Sequence, residues 1–354
     1  MSNLKNTIKE TAVKLINTLN PRNRDIISRR FGLKTGKKET LESIGQSYGI
    51  TRERVRQIEE ASLAQTENNL ASVSGVKVKP FVALVESILD QAGGVLGEND
   101  MLARFFGIEA GLVVNNATAN AALVFVLTLD GKLRRFGEDE DFGSFWSLSD
   151  QHAELFKNSA TSLVKALTKS EAPVAESAVV DFAKKAGVSP RYAVSQAIPV
   201  FLTISKNIGK NIFGQVGLTR WPEIEPRGVR DKSYLVLRRE GKPRHFRDIT
   251  QLINNTFADR RANTQTVHNE LIKDQRFVLV GRGMYGLAEW GYKAGTVKDV
   301  LVDLLRLANK PLKREDLVSQ VLAHRMVKEN TILLNLQDTS VFKKTDQGYT
   351  LREA

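Results

Sequence analysis

Apolar residues recur at helical spacing in two short stretches of the first sixty residues. Leu41 and Ile44 lie three positions apart in the first stretch, and Val55 and Ile58 lie three positions apart in the second. This spacing places each pair on one face of an α-helix. Gly49 lies between the stretches, and glycine can end a helix there without a Cβ penalty. The pattern therefore predicts two short helices joined by a tight turn.

The second predicted helix begins at a favoured capping residue and carries its polar residues outward. Thr51 is that cap, because a threonine hydroxyl can accept a backbone N–H of the first turn. The polar residues left outside are Arg52, Glu53, Arg54, Arg56 and Gln57. Arginine and glutamine make paired hydrogen bonds to guanine and adenine edges in the major groove. The arrangement is typical of a helix-turn-helix whose second helix reads DNA.

The segment 40–60 resembles the fourth region of sigma-70 family transcription initiation factors, which reads the upstream hexamer of promoters. The resemblance extends back to Leu19 and includes Asn20-Pro21 and the run Arg30-Phe31-Gly32-Leu33. These residues look like the first helix pair of that region, in which Asn20 would cap a helix and Pro21 would take its first position. The resemblance covers about the first fifth of the chain.

The resemblance implies two groups of DNA contacts on the second helix. The residues that would face bases are Arg52, Glu53 and Gln57. The residues that would contact phosphates or bases are Arg54 and Arg56. Thr40, at the start of the first helix, would contact a phosphate. The alternative is a surface helix whose charges are only solvated.

The chain departs from the sigma pattern at the end of this helix. After Glu59 the usual basic residues are replaced by Glu60 and the uncharged stretch 61–65. A helix end without lysines makes fewer phosphate contacts, so we expect a lower affinity than that of a full promoter reader.

Four later segments end alike, with a glycine followed by aromatic and aliphatic residues in strand-like alternation. They are 142–148, 214–221, 281–290 and 346–351, roughly 64 to 70 residues apart, a period that suggests repeats. The first helices of the repeats are predicted at 81–91, 162–169, 234–239 and 297–308. In the third repeat, 276–280 is predicted to pair with 285–288 as a β-hairpin.

Three helices and a β-hairpin make a winged helix. The predicted fold is therefore mainly α, with an N-terminal helix-turn-helix followed by several winged-helix units. The predicted boundaries are 1–66 for the helix-turn-helix, 67–80 for a linker, and 81–150, 156–225, 231–293 and 296–354 for four winged-helix-like units.

The third unit resembles the HARE-type winged helix, a module of the delta subunit of bacterial RNA polymerase and of some chromatin and restriction proteins. The resemblance rests on the segments 242–246, 263–271 and 283–287. Basic residues of this unit form a possible second DNA contact. They are Arg244, Arg247, Arg260, Arg261, His268 and Lys273. The alternative is a solvated basic face on a protein-binding domain.

The composition favours a nucleic-acid partner. Against 40 acidic residues the chain has 52 basic ones, a formal net charge of +12 that suits a polyanion. Because there is no cysteine and the four histidines are scattered, we expect no disulfide, no metal and no cofactor. No catalytic triad or phosphate-binding glycine pattern occurs, so we expect neither an enzyme nor a small-molecule substrate. The charged N-terminus is unlike a signal peptide, and the apolar runs are too short to span a bilayer, which predicts a cytoplasmic protein without a membrane partner.

These features together predict a DNA-binding regulator of transcription that is sigma-like or associated with RNA polymerase. The expected partners are double-stranded DNA and the RNA polymerase core. The first helix pair is the expected polymerase-docking surface, and its apolar residues are Ile16, Leu19, Ile27, Phe31 and Leu33. Most of them must be core, so the docking surface is expected to be small, and a second contact through the third unit is expected to strengthen it. No helix resembles the second sigma region, so a complete initiation factor is not expected. The alternatives are the DNA-recognition component of a restriction or nucleic-acid-modifying system, and a polymerase-binding scaffold.

Overall fold

A computed structural model of the chain describes residues 2–70, 72–73, 78–107, 116–257, 261–292 and 294–352. Over these residues the chain forms sixteen α-helices and eleven short strands, which confirms the mainly helical class. It divides into two compact units. The first comprises residues 1–210 with 214–219, and the second comprises residues 211–213 with 220–354.

The first unit begins with four helices, which we call the N-terminal module. They are α1 (Ser2–Ile16), α2 (Pro21–Phe31), α3 (Leu41–Tyr48) and α4 (Arg52–Asn68). The side chain of Asn20 accepts a hydrogen bond from the backbone N–H of Asn23, and Pro21 opens α2, so both predictions for this helix start are confirmed. The predicted linker 67–80 is described only in part, since residues 71 and 74–77 lie outside the described residues.

Four segments with one order of elements follow, and we call them the first to fourth repeats. Each has a helix, a strand position, two further helices and two strands. In the first three repeats the strands form a three-stranded antiparallel sheet with the last strand in the middle. In the fourth repeat Leu312 takes the place of the first strand by pairing with Tyr349. The division of these repeats into separate domains stays a prediction.

The first two repeats lie in the first unit. The first consists of α5 (Lys79–Gln91), β1 (Val95–Gly97), α6 (Glu98–Phe105), α7 (Ala117–Asp130), β2 (Arg134–Phe136) and β3 (Phe145–Ser147). The second consists of α8 (Asp150–Ser170), β4 (Val174–Ala175), α9 (Glu176–Lys185), α10 (Ile198–Ile204), β5 (Ile208–Lys210) and β6 (Gln215–Leu218).

The last two repeats lie in the second unit, and each has an apolar core of its own. The third consists of α11 (Val229–Glu240), β7 (Arg244–His245), α12 (Phe246–Thr256), α13 (Thr264–Lys273), β8 (Phe277–Gly281) and β9 (Met284–Leu287). The fourth consists of α14 (Val297–Ala308), α15 (Arg314–His324), α16 (Glu329–Leu336), β10 (Phe342–Thr345) and β11 (Gly348–Leu351).

Two predictions about these repeats have different outcomes. The predicted hairpin of the third repeat is confirmed, since β8 pairs antiparallel with β9. The helix predicted at 162–169 is wrong in its start, because α8 begins at Asp150. Ser149 caps it by accepting the N–H of His152. Ala153 and Phe156 continue the apolar spacing into this first part of the helix, where both are buried.

The third helix of the first repeat, α7, is apolar on every side. Its buried residues are Ala119, Ala121, Ala122, Leu123, Val124, Phe125, Val126, Leu127 and Leu129. A helix with this pattern must pack against other elements on every side, because any unpacked side would expose apolar surface to water. The N-terminal module supplies much of that cover, since α7 packs against α1, α2 and α4 as well as against α5.

Two contacts mark the junction between the N-terminal module and the first repeat. The ring of Phe31 on α2 meets the ring of Phe125 on α7 edge to face, with centroids 5.1 Å apart. At the rim, Glu98 accepts hydrogen bonds from Arg135 at 2.5 and 3.0 Å and lies 3.5 Å from Lys38 of the module. Burial works to raise the pKa of Glu98, but the hydrogen bonds and charges of Arg135 and Lys38 outweigh it and leave the pKa lowered.

We expect the change Phe125→Ala to destabilise the first unit by about 3–5 kcal/mol, because it opens a cavity between α7 and the N-terminal module. The measurement is urea denaturation followed through the fluorescence of Trp146, in a chain whose other two tryptophans are replaced by phenylalanine. Leu155→Ala is the control, since Leu155 is 39% exposed in the same unit and its loss should cost less than about 1 kcal/mol. Equal decreases in the free energy of unfolding of the two variants would contradict the role given to α7.

Candidate nucleic-acid interface

Helices α3 and α4 form the predicted helix-turn-helix, and each begins at a threonine cap. The hydroxyl of Thr40 accepts the N–H of Ser43 at 3.1 Å, and the hydroxyl of Thr51 accepts the N–H of Arg54 at 3.2 Å. Gly49 ends α3 with φ 64°, the left-handed conformation that favours glycine. The predicted turn is therefore confirmed. The hydroxyl of Thr40 is exposed and still has its proton to donate, for example to a phosphate oxygen.

Gly45 leaves no room for a side chain. A Cβ on Gly45 would lie 2.7 Å from the carbonyl oxygen of Ile50. The N–H of Ile50 donates to the carbonyl of Gly45 at 3.0 Å, so the turn itself folds back onto this glycine.

A small apolar core fixes which side of α4 faces outward. Ile26 of α2, Ile44 of α3 and Val55 of α4 are fully buried together. Leu41, Tyr48, Ile50 and Ile58 pack around them, as predicted for Leu41 and Ile58. Because Val55 and Ile58 point into this core, the residues between them on the other face of α4 are exposed.

Ion pairs join α2 to the rest of the module. Arg29 donates to both carboxylate oxygens of Glu39, at 3.0 and 2.6 Å, and Arg30 forms an ion pair with Glu59 of α4 at 3.0 Å. The hydrogen bond from Arg29 lowers the pKa of Glu39, against a smaller opposing effect of burial. These contacts hold α4 and the loop before α3 in place on α2.

The outward face of α4 carries all five polar residues that were predicted to contact DNA, and all five are exposed. Four of the five, all except Arg52, already contact one another. Arg56 donates to Glu53 at 2.9 and 2.8 Å and also meets Glu60. Arg54 donates to Gln57 at 3.1 Å, and Gln57 donates to Glu53 at 3.4 Å. The hydrogen bond and charge of Glu53 raise the pKa of Arg56, and the hydrogen bond from Arg56 lowers the pKa of Glu53.

The charge of the module is not concentrated on α4. Residues 1–66 contain 13 basic and 7 acidic residues, whereas α4 itself has three arginines and four glutamates. The helix that resembles a DNA reader therefore has a slightly negative formal charge. The excess positive charge lies on α1, α2 and the loop 33–40.

The basic residues predicted as a second DNA contact lie in different surroundings on the third repeat. Arg247 and Arg261 are exposed. Arg244 is paired with Glu240, and Lys273 lies 3.9 Å from Glu270. The ring of His268 is half-buried and stacks on Phe246, with centroids 4.3 Å apart. Arg260 lies outside the described residues.

The structure adds a basic residue to this set that sequence reasoning left out. Arg282 is exposed in the turn between β8 and β9. The carbonyl of Gly283 in this turn accepts the N–H of Phe246 at 3.0 Å, which brings the turn beside the start of α12, where Arg247 is exposed. The available signal was the position of Arg282 between two glycines in the run Gly281-Arg282-Gly283, between the two predicted strands.

Neither a metal site nor a membrane-spanning helix is found in the part of the chain that the structure describes. Within the described residues, no three His, Asp or Glu side chains are grouped so that they could hold a metal ion. Within the same residues no helix is both long enough and apolar enough to cross a membrane.

Comparison with known proteins finds relatives for the N-terminal module. Residues 15–65 match the family Sigma-70, region 4. An RNA polymerase sigma factor SigA of Nostoc sp. is 48% identical over 59 residues, which are 17% of this chain and 15% of that protein. SigA of Clostridium acetobutylicum is 46% identical over 56 residues, 16% of this chain and 15% of that protein. The chloroplastic sigma factor sigF of Arabidopsis thaliana is 40% identical over 72 residues, 20% of this chain and 13% of that protein.

These matches confirm the predicted resemblance of the N-terminal fifth to sigma region 4. The chain spans only about 15% of the length of the relatives it matches, and the family match covers residues 15–65 of the N-terminal module. The likeness of the third repeat to the HARE-type module stays a prediction.

We expect the Arg29–Glu39 pair to make the N-terminal module sensitive to acid. The folded state lowers the pKa of Glu39, so its stabilisation is present above the unfolded pKa and is lost as the pH falls through the folded pKa. Glu39→Gln should therefore lower the melting temperature of the first unit by about 1–3 °C at pH 7. The difference from wild type should shrink between about pH 5 and pH 3. The measurement is the melting temperature across this range.

Glu42→Gln is the matched control, because Glu42 is exposed on α3 and forms no ion pair among the described residues. Its melting temperature should follow that of the wild type at every pH. A Glu39→Gln difference that stays constant from pH 7 to pH 3 would contradict the role of the carboxylate charge.

Proposed function

We propose that this protein is a DNA-binding regulator of transcription that acts together with RNA polymerase in the cytoplasm. The observation that carries the proposal is the exposed polar face of α4, positioned by a helix-turn-helix that matches sigma region 4. We propose no catalytic role for the chain. Because four repeats of another pattern follow the N-terminal module, we favour a polymerase-associated regulator over a complete initiation factor.

In this function the first turns of α4 enter the major groove. Arg52, Glu53 and Gln57 contact base edges, where arginine pairs with guanine, glutamine with adenine, and glutamate accepts from cytosine. Arg54, Arg56 and Thr40 position the module through the backbone phosphates. To bind, Arg54, Arg56 and Gln57 exchange their present contacts with one another and with Glu53 for contacts with DNA.

We further propose that the four repeats are winged helices, which is supported by their shared element order and by the sheet order of the first three. The third repeat would provide the second DNA contact. Three exposed arginines carry this contact. Arg282 lies in the turn between β8 and β9, Arg247 at the start of α12, and Arg261 before α13.

The distribution of charge supports two DNA contacts on one chain. Residues 220–354 contain 25 of the 52 basic and 17 of the 40 acidic residues, which is +8 of the formal +12. Because both contacts lie on one chain, binding at one raises the effective concentration of the other. A reader helix without excess positive charge can then bind DNA through its base contacts, while the second unit supplies the salt-dependent attraction.

The first helix pair leaves little apolar surface for a polymerase contact. Of the apolar residues in the first helix pair, Ile16, Leu19 and Ile27 are buried, and Phe31 packs on Phe125 of α7. The apolar side of α2 is therefore in use within the chain. We propose that polymerase contacts an exposed surface of the protein outside this junction.

We expect base-contacting and phosphate-contacting residues to respond differently to substitution. Gln57→Ala should cost about 1–3 kcal/mol on the preferred duplex and reduce discrimination at one base pair. Arg54→Ala should weaken the preferred and scrambled duplexes evenly. The measurement is fluorescence anisotropy with the full chain, using a duplex selected from random sequence and a scrambled version of it.

Gln65→Ala is the control for Gln57→Ala, since Gln65 is exposed on the same helix, two turns further on. It should bind both duplexes as the wild type does. If Gln57→Ala and Gln65→Ala are alike in affinity and selectivity, α4 does not read DNA.

We expect the RNA polymerase core to co-purify with the tagged full chain at low salt from nuclease-treated lysate of its own cells. Nuclease treatment matters because two DNA-binding proteins can otherwise be bridged by DNA. The measurement is immunoblotting for polymerase subunits, with an unrelated tagged protein of similar positive charge as the control. If polymerase is recovered equally with that control, the protein binds DNA outside the transcription machinery.

A further inference from the structure

The contacts on the outward face of α4 end at Glu60. Arg56 donates two hydrogen bonds to Glu53, at 2.9 and 2.8 Å, and its Nη1 also meets the carboxylate of Glu60. Glu53 lies three residues before Arg56 and Glu60 lies four residues after it, so the three side chains share one face of the helix. Two carboxylates therefore hold a single guanidinium group.

Glu60 differs from its neighbour Glu59 in what it contacts. Glu59 forms an ion pair with Arg30 of α2 at 3.0 Å and is largely covered. The side chain of Glu60 is 62% exposed, and within the described part of the chain its ion pair is with Arg56. Glu59 thus holds the helix in the module, whereas Glu60 contributes to the outer surface alone.

The position of Glu60 affects DNA binding through charge. An arginine strengthens DNA binding when its guanidinium replaces the counterions of a phosphate. With Glu60 attached, Arg56 must either leave this carboxylate or bring a negative charge close to the phosphate, and both routes weaken binding. Because phosphates are the same at every base pair, the loss is independent of the DNA sequence.

We propose, on the basis of the DNA-binding function proposed above, that Glu60 limits the affinity of α4 for DNA by withholding Arg56 from the phosphate backbone. Glu60 is then a residue that sets affinity without changing which sequence is preferred. It acts through Arg56, and it leaves the base-contacting residues Arg52 and Gln57 in place.

The test is the affinity of the full-length Glu60→Gln chain for DNA. Glutamine keeps the length and polarity of the side chain and removes its charge. The dissociation constant should fall about two- to fivefold on both the selected and the scrambled duplex. The slope of the logarithm of the association constant against the logarithm of the salt concentration should become steeper by about one unit, because one further phosphate is neutralised.

Two further variants separate this effect from others. Glu67→Gln makes the same change of charge at an exposed position on the same helix, without an ion pair among the described residues, and should leave both affinity and salt dependence unchanged. In a chain that already carries Arg56→Ala, Glu60→Gln should have no effect. Equal melting temperatures for the wild type and Glu60→Gln exclude a change in folding as the cause.

Three results would overturn the role of Glu60. The first is a wild type that binds DNA and a Glu60→Gln chain that binds the same duplexes with the same dissociation constants. The second is a gain in affinity of the same size with Arg56→Ala present, because Glu60 would then act by simple repulsion. The third is a gain on the selected duplex alone. If the wild-type chain binds neither duplex at about 50 mM salt, the proposed DNA-binding function is overturned as well.

Discussion

The cover that α7 needs on every side determines how the first unit is built. A helix whose buried residues point in all directions cannot lie on the surface of its own repeat. In this chain α5 covers part of α7, and α1, α2 and α4 cover more of it. The helix-turn-helix is therefore part of a larger body, in which α1, α2 and α4 pack on α7 and the ring of Phe31 lies against that of Phe125. What remains exposed on the module is the polar side, which includes the first turns of α4.

Charge complements this packing. The +12 of the whole chain suggests a nucleic-acid partner but does not identify the surface that binds it. With three arginines and four glutamates, α4 is close to neutral in formal charge. Each of its arginines except Arg52 has a hydrogen-bonded partner on the same helix. The excess positive charge lies on α1, on α2 and in residues 220–354. A protein arranged in this way would take its selectivity from one surface and much of its attraction to DNA from others.

Local signals in the sequence were sufficient to predict the helix-turn-helix. The caps at Thr40 and Thr51, the turn at Gly49 and the buried face of α4 depend on neighbouring residues, and all were predictable. The hairpin of the third repeat was predictable for the same reason, since glycine and alternation mark it. The start of α8 was harder to predict, because its first turn consists largely of the polar residues Asp150, Gln151 and His152.

Features that depend on contacts between distant residues could not be predicted. The run 121–127 was evident as apolar, but nothing in it indicates that the N-terminal module is its partner. The partners of charged side chains were equally hidden. Arg135 and Glu98 are 37 positions apart in the sequence yet form an ion pair, and His268 is stacked on Phe246. Arg282 was overlooked because its position beside α12 depends on how β7 pairs with β9.

Hydrogen–deuterium exchange of the full chain with and without a selected duplex tests the central claim most directly, because it reports on every segment at once. We expect DNA to slow exchange in the first turns of α4 and in the turn that contains Arg282. Exchange in α7 should be slow in both states, since α7 stays packed on the module. Unchanged exchange in α4 on binding of DNA would contradict the role of this helix as the DNA reader, and fast exchange in α7 in the bound state would contradict its packing on the module.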